Sequence, residues 1–203
     1  MVTGKRSRGR PAVSSRQDIE TRAIALFLEH GYEGTTLGAI TDACGVSKTT
    51  FFRYYTSKAA IIWSAFEEHT AILRRLLREA DPRVPVMTAV RTAVVEAFRA
   101  SMDDEGTWMK RFVILDTSPA LRAEESAQWI SWAGAVAEHV ARRTEDDPGA
   151  LAPASIGGAV QAAFLATLRG WRTAADPAPA FARRLDADLK PLCDILQEWL
   201  DRR

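Results

Sequence analysis

Residues 35 to 58 read Thr-Thr-Leu-Gly-Ala-Ile-Thr-Asp-Ala-Cys-Gly-Val-Ser-Lys-Thr-Thr-Phe-Phe-Arg-Tyr-Tyr-Thr-Ser-Lys, and this stretch decides the fold of the N-terminal part of the chain. Its apolar residues recur at helical spacing on both sides of Gly45, which supplies the permissive backbone of a tight turn. Ser47 follows at the position of a helix cap, and Phe51 and Tyr55 lie four residues apart on the inner side of that next helix. The pattern predicts two short helices joined by a glycine turn.

The outer face of the second helix consists almost entirely of hydrogen-bond donors: Lys48, Thr49, Thr50, Arg53 and Tyr54. A short helix with such a face suits the DNA major groove, where base edges are read by hydrogen bonds. An ordinary solvated helix face is the alternative. The stretch therefore predicts a helix-turn-helix that binds double-stranded DNA.

A family resemblance supports this interpretation. Residues 45 to 58 resemble the recognition helix of TetR-type one-component repressors, and residues 25 to 36 (Ala-Leu-Phe-Leu-Glu-His-Gly-Tyr-Glu-Gly-Thr-Thr) are similar to the end of that family's first helix. The motif covers residues 16 to about 66; beyond it the resemblance is one of length and helix pattern. The resemblance implies that the DNA-facing residues are Thr36, Ser47, Lys48, Thr49, Thr50, Arg53, Tyr54 and Lys58.

Physical chemistry divides these residues into two groups. Thr36 and Lys58 lie at helix starts, where N–H groups and a cation hold phosphates, and Tyr54 is expected to meet a backbone phosphate as well. Base edges are expected at Lys48, Thr49 and Arg53, since arginine suits guanine.

One position departs from the family pattern, because Phe52 stands where the family often has tyrosine. Without the hydroxyl, Phe52 offers only apolar contact, for example with a thymine methyl group. The polar contact to DNA that a tyrosine would make is therefore not expected at this position.

Positive charge is concentrated near the helix-turn-helix. The chain has a net charge of +1, but residues 1–60 hold nine Lys and Arg against five Asp and Glu, whereas the remainder holds 18 against 21. This excess of positive charge in residues 1–60 favours binding to the phosphates of DNA. Within the polar arm of residues 1–14, Arg8-Gly9-Arg10-Pro11 resembles arms in which arginines enter a narrow minor groove. An unstructured solubilising tail is the alternative.

The rest of the chain has helical periodicity and no strand alternation, so we predict an all-α fold of about nine helices. The predicted domains are a flexible basic arm (1–14), the helix-turn-helix domain (15–58) and an effector-binding and dimerisation domain (59–203). Two distant cysteines fit a reduced cytoplasm, and no apolar run is expected to approach the length of a membrane span.

The resemblance implies a homodimer that binds a palindromic operator and encloses an effector in its C-terminal helices. Dimerisation is expected near residues 154–175 and 180–202, because one helix carries bulky Leu and Trp and the other a surface of small residues: Gly157, Gly158, Ala159, Ala162, Ala163 and Ala166. Packing within one chain is the alternative use of that surface.

An apolar effector pocket is predicted from aromatic and methionine side chains, although such stripes are more often plain core. The candidate lining residues are Trp63, Phe66, Met87, Phe98, Met102, Trp108, Phe112, Trp129, Trp132, Phe164 and Trp171. Residues 108–123 look like the family branch that includes mycofactocin-system regulators and sensors of acyl-CoA-like ligands. By this resemblance the effector is a fatty acyl thioester, with Lys110, Arg111 and Arg122 near its phosphates; ordinary helix-surface charge is the alternative.

Other classes of function find little support. His30, His69 and His139 belong to no zinc-binding, nucleophile-elbow or phosphate-loop motif, so the chain is not expected to be an enzyme or to hold a metal or cofactor. A second alternative is a DNA-binding module that has no effector and acts through protein partners. A fully packed second domain would favour that alternative, and an apolar cavity would favour effector binding.

Overall fold

The computed structural model describes residues 15–103, 106–174 and 178–203, without the side chains of residues 172–174 and 178. These residues confirm the all-α prediction, since they form helices and connecting turns and no strand. The helices are α1 (Arg16–His30), α2 (Leu37–Cys44), α3 (Lys48–Tyr54), α4 (Ala60–Glu79), α5 (Val86–Ser101), α6 (Thr107–Thr117), α7 (Pro119–Glu124), α8 (Ser126–Thr144), α9 (Leu151–Ala174) and α10 (Ala178–Asp201).

The described residues form ten helices, one more than the predicted nine or so, and the additional helix is α7. The Ser118-Pro119 pair ends α6 as expected, but it also begins α7. The Ser118 side chain accepts a hydrogen bond from the Leu121 backbone N–H at 3.3 Å, and Pro119 occupies the first helical turn, where its missing N–H costs nothing. A Ser-Pro pair thus both stops one helix and starts the next.

The chain divides into two compact units, residues 1–61 and 62–203. In the first unit, the described part consists of α1 to α3 and the start of α4. The division falls three residues after the predicted boundary between residues 58 and 59. The predicted arm, residues 1–14, lies outside the described residues.

The second unit is a helical bundle in which α9 packs against both α8 and α10, and α5 packs against α10. A Cβ atom on Gly157 would lie 2.4 Å from the Ala133 carbonyl oxygen of α8, so only glycine permits this approach of the two helices. At Gly158 the corresponding space is open, and Ala162 and Ala166 are exposed. The small residues of α9 therefore serve packing within the chain at Gly157 and leave a surface of small side chains elsewhere.

Helix α9 corrects one expectation from the sequence. Residues Leu151–Trp171 are long and apolar enough to cross a membrane by length and composition alone, whereas no run of that kind was expected. Within the protein, 44% of this apolar window is buried, and α9 packs between neighbouring helices. The core helix of a soluble protein passes the same test, because its alanine and larger aliphatic residues raise the hydropathy without lipid contact.

Candidate nucleic-acid interface and ligand cavity

The turn between α2 and α3 has the geometry that the sequence predicts. Thr36 caps α2 by accepting a hydrogen bond from the Ala39 backbone N–H at 3.1 Å. Gly45 ends the helix in the left-handed conformation (φ 64°, ψ 31°), and its N–H faces the carbonyl oxygens of Thr41 and Asp42. These caps replace hydrogen bonds that the end of a short helix would otherwise lack.

Helix α3 begins at a cap and is held by its aromatic inner side. The Ser47 hydroxyl accepts from the Thr50 backbone N–H at 3.1 Å and lies 3.0 Å from the Thr50 hydroxyl. Phe51 and Tyr55 are buried, and their ring centres are 5.7 Å apart. The pKa of the Tyr55 hydroxyl is raised, mainly because the side chain is buried. The side chains of Ser47 and Thr50 therefore fix the start of the helix, and the aromatic rings fix its orientation.

The opposite face of α3 is open to solvent. Lys48, Thr49 and Arg53 are exposed, and so is Phe52, which retains 51% of its accessible surface. The Arg53 guanidinium lies 4.9 Å from the centre of the Tyr54 ring, and its Nη2 donates to the Tyr54 hydroxyl at 3.0 Å. Two cations, a hydroxyl and an apolar ring are thus presented together on a short helix. This combination suits base edges and thymine methyl groups.

Lys58 has a structural role that the sequence did not reveal. Its ammonium Nζ donates to the carbonyl oxygens of Tyr32, at 2.6 Å, and Thr35, at 2.8 Å, and lies 4.0 Å from the centre of the Tyr32 ring. Desolvation by partial burial lowers the pKa of Lys58. Two of its three N–H groups therefore hold the connection between α1 and α2. Its predicted phosphate contact stays a prediction and depends on the third N–H.

Thr35 was also missed as an anchor of this connection. It is 2% exposed, and its hydroxyl lies 2.8 Å from the Gly31 carbonyl oxygen and 3.2 Å from that of Leu26. The sequence has two adjacent threonines, and nothing local indicates which one caps α2 and which one is buried. Two other predicted DNA contacts, Arg8 and Arg10, lie outside the described residues.

The second unit contains a network of aromatic rings. Its members include eight of the predicted lining residues, together with His69 and Phe181, which the pocket prediction omitted. Neighbouring ring centres are 4.8–6.1 Å apart across Trp63, Phe66, Phe98, Trp108, Trp129, Trp132, Phe164 and Trp171. Most of these side chains are buried, which is what a core also requires.

A cavity of about 360 Å³ lies between the end of α5 and the start of α10. Phe98, Met102 and Pro179 form its apolar lining, and Arg99 and Arg183 add two guanidinium groups. Arg99 pairs with Glu96 at 2.5 Å, whereas Arg183 is exposed and has no ion-pair partner in the described part of the chain. This volume is within the range of small-molecule sites, and the lining suits an apolar ligand with an anionic group.

Two predicted lining residues, Phe98 and Met102, border this cavity, and Phe112 and Met87 are buried elsewhere in the unit. Among the cations predicted near the effector's phosphates, Arg111 is only 7% exposed. Lys110 and Arg122 are on the surface. The cations that line the cavity are therefore Arg99 and Arg183. The sequence analysis did not select them, because only the fold places the end of α5 beside the start of α10.

Two capped helices joined by a glycine turn, with hydrogen-bond donors exposed on the second helix, define a helix-turn-helix DNA-binding protein. Residues 19–64 match the family model described as bacterial regulatory proteins, tetR family, and residues 84–197 match the MftR C-terminal domain. The chain is 30% identical over 164 residues to a Mycobacterium tuberculosis protein assigned as the mycofactocin biosynthesis transcriptional regulator MftR, covering 80% of this chain and 82% of that protein.

Solved structures share the fold. SmeT, the repressor of the Stenotrophomonas maltophilia multidrug efflux pump SmeDEF, aligns with a TM-score of 0.62 at 22% identity, covering 90% of this chain and 88% of SmeT; it has also been solved with triclosan. The repressor FadR of Thermus thermophilus, in complex with lauroyl-CoA, aligns with a TM-score of 0.52 at 21% identity, covering 87% and 92%.

The chain belongs to the TetR family of bacterial transcriptional regulators, and its second unit carries the MftR type of C-terminal domain. Its family and relatives are regulators of transcription rather than enzymes.

Proposed function

We propose that this regulator is a cytoplasmic repressor that binds a palindromic operator as a homodimer and is released by a small apolar effector. Each protomer would place α3 in one major groove, with the two half-sites about one helical turn apart. A single short helix reads too few base pairs for strong binding, so two copies are needed. The dimer would form through α9 and α10, whose exposed apolar residues include Leu151 and Ile195.

The exposed face of α3 carries the DNA-binding proposal. Bases would be read by Lys48, Thr49 and Arg53, whose side chains are exposed on the outer face of α3. Phosphates would be held by Thr36, Ser47, Thr50, Tyr54 and the third N–H of Lys58. Arg8 and Arg10 of the proposed arm, residues 1–14, would add minor-groove contacts beside the DNA-binding domain of residues 15–58.

The effector-binding proposal for residues 59–203 is supported by the cavity at Phe98 and Met102, which favours a ligand over the alternative of an effector-free module. An acyl chain would lie along the apolar lining, and the anionic end of a fatty acyl-CoA would lie near Arg99 and Arg183. The lauroyl-CoA complex of FadR supports this class of ligand. The effector would release DNA only if it bound the DNA-incompetent state more tightly, because equal affinity shifts nothing.

The test is in-vitro selection of operators from random DNA with the full-length protein. A palindromic motif, a protein dimer on each DNA molecule and release by lauroyl-CoA are the expected results. Native mass spectrometry of the protein from its host would report the dimer mass and any retained ligand. Selection of a non-palindromic motif would refute the dimeric operator, and unchanged DNA affinity at saturating lauroyl-CoA would refute the acyl-CoA effector.

Removal of residues 1–11 tests the proposed arm separately. Loss of Arg8 and Arg10 should weaken operator binding and lower the dependence of log affinity on log salt concentration by about one to two units. The full-length chain assayed on the same operator is the control. An unchanged affinity and salt slope would contradict the proposed minor-groove contacts.

A further inference from the structure

His69 has a defined protonation state deep in the second unit. It is 1% exposed, and its Nδ1 lies 2.9 Å from the Ser101 hydroxyl. That hydroxyl donates to the Ala97 carbonyl oxygen at 2.8 Å, so its proton is already used. Nδ1 must therefore carry a hydrogen and donate to Ser101. Burial lowers the pKa of His69 to about 4, so the ring is neutral near pH 7 and its Nε2 presents a bare lone pair.

This lone pair has no hydrogen-bond partner among the described residues. The same is true of the indole Nε1 of Trp108, a donor that is equally buried. The ring centres of His69 and Trp108 are 5.3 Å apart. Buried polar atoms in native proteins are nearly always paired. An unpaired acceptor, His69 Nε2, and an unpaired donor, Trp108 Nε1, on neighbouring rings therefore indicate a group that can form hydrogen bonds with both.

The rings around this pair are fixed by packing. His69 stacks on Phe164 with the ring planes 7° apart, and Phe164 stacks on Trp132 at the same angle. Phe98 meets the Trp108 ring edge-on at 5.7 Å and also lines the cavity between α5 and α10. A single side chain, Phe98, thus borders both the cavity and the indole that carries the donor. Access from the cavity to the indole would require rotation of that side chain.

We propose that His69 and Trp108 form the inner, polar end of the effector site and select an apolar molecule that carries a hydroxyl group. The hydroxyl oxygen accepts from Trp108 Nε1, and its proton is donated to His69 Nε2. A hydroxyl does both at once, whereas an ether or ketone only accepts and a methyl group does neither. This inference rests on the proposed effector role of the second unit and adds the chemistry by which it discriminates among apolar ligands.

Three probes that share a naphthalene ring test the hydroxyl directly, and 2-naphthol and 2-methylnaphthalene are nearly equal in size. The probes are 2-naphthol, 2-methoxynaphthalene and 2-methylnaphthalene, titrated into the full-length protein by calorimetry. We expect 2-naphthol to bind about tenfold more tightly than 2-methylnaphthalene, because two otherwise unpaired buried groups gain partners. The methoxy compound can accept from Trp108 but cannot donate to His69, so it should bind with an affinity between those of the other two. Equal binding of all three, or binding of none, would overturn the proposal; the first result is also expected if a structural water pairs the two groups.

Two variants locate the effect. His69→Phe keeps the ring that stacks on Phe164 and removes the lone pair, so the affinity ratio of 2-naphthol to 2-methylnaphthalene should fall to about one. His139→Phe is the matched control, because His139 is another buried histidine of this unit with its Nδ1 used, at the Leu77 carbonyl oxygen 2.8 Å away, and its Nε2 unpaired among the described residues, but its ring is not part of the aromatic network that holds Trp108. The control should retain the tenfold ratio. Retention of that ratio in His69→Phe would overturn the assignment.

A spectroscopic measurement on the unmutated protein removes any dependence on variant folding. Nitrogen NMR of protein with labelled histidine should find an unprotonated Nε2 on His69, and its resonance should move with 2-naphthol but not with 2-methylnaphthalene. A protonated Nε2 would overturn the proposal. The proposed function fails separately: a protein that binds 2-naphthol through His69 but keeps its operator affinity at every effector tested would retain this site and lose its regulatory role.

Discussion

Replacement of Lys58 by methionine should destabilise the helix-turn-helix unit by about 2.5 kcal/mol, although methionine keeps the aliphatic length of the side chain. The Lys58 ammonium holds two carbonyl oxygens at 2.6 and 2.8 Å and lies 4.0 Å from the Tyr32 ring centre. Because the site is only half-buried, water can replace part of each contact, so about 1 kcal/mol is appropriate for each hydrogen bond. The contact with the aromatic ring adds about 0.5 kcal/mol.

The assay is amide hydrogen exchange on the full-length chain, followed at the amides of α1 to α3. A loss of about 2.5 kcal/mol corresponds to exchange that is roughly seventyfold faster in this unit. Lys48→Met is the control, since Lys48 is an exposed cation of the same unit and its loss should change stability by less than about 0.5 kcal/mol. Lys58→Met should also lower the salt slope of operator binding by about one unit, because Lys58 is the proposed phosphate contact. Unchanged exchange in Lys58→Met would refute the structural role derived from the carbonyl contacts.

Three further predictions address the base reader, the helix contact and the buried histidine. Arg53→Ala should cost about 1–3 kcal/mol of operator affinity and relax the preference at particular base pairs, measured by repeated operator selection; an unchanged motif would contradict the groove assignment. Gly157→Ala should destabilise the protein by about 1–3 kcal/mol in chemical denaturation, because the added Cβ meets the Ala133 carbonyl oxygen, whereas Gly158→Ala should be neutral or stabilising by up to about 1 kcal/mol; equal effects would refute the close approach. His69 is protonated at about pH 6.5 when unfolded but only at about pH 4 when folded, so the stability present above pH 6.5 should fall by about 3 kcal/mol as the pH drops to 4, and His69→Phe should remove this dependence.

Local chemistry allowed much of the DNA-binding unit to be predicted. The cap at Ser47, the turn at Gly45 and the inward rings of Phe51 and Tyr55 are each decided within four or five residues, so the sequence contains the information. The additional helix α7 is also local in origin, but its Ser-Pro signal has two meanings. A Ser-Pro pair can end one helix or begin the next, and here it does both.

The missed features depend on residues that are distant in the chain. Lys58 finds its carbonyl partners 23 and 26 residues away, and Gly157 is required by Ala133 of a different helix. The aromatic residues of the second unit were recognised as a group, but their order in the network depends on helix packing angles. His69 was considered only as a metal ligand or a catalytic residue, because its partner Ser101 is 32 residues away. No helical period predicts such pairings.

The contact of Arg53 with Tyr54 has a consequence for the thermodynamics of DNA association. A free arginine on a helix surface samples many rotamers, and its immobilisation at an interface costs about 0.5–1.5 kcal/mol. Here the Tyr54 ring and hydroxyl already restrict the guanidinium before any DNA is present. Part of the conformational entropy of the Arg53 side chain is therefore lost when the protein folds and not when it binds DNA. The same tyrosine that is proposed to touch a phosphate would thus also pre-organise the neighbouring base reader.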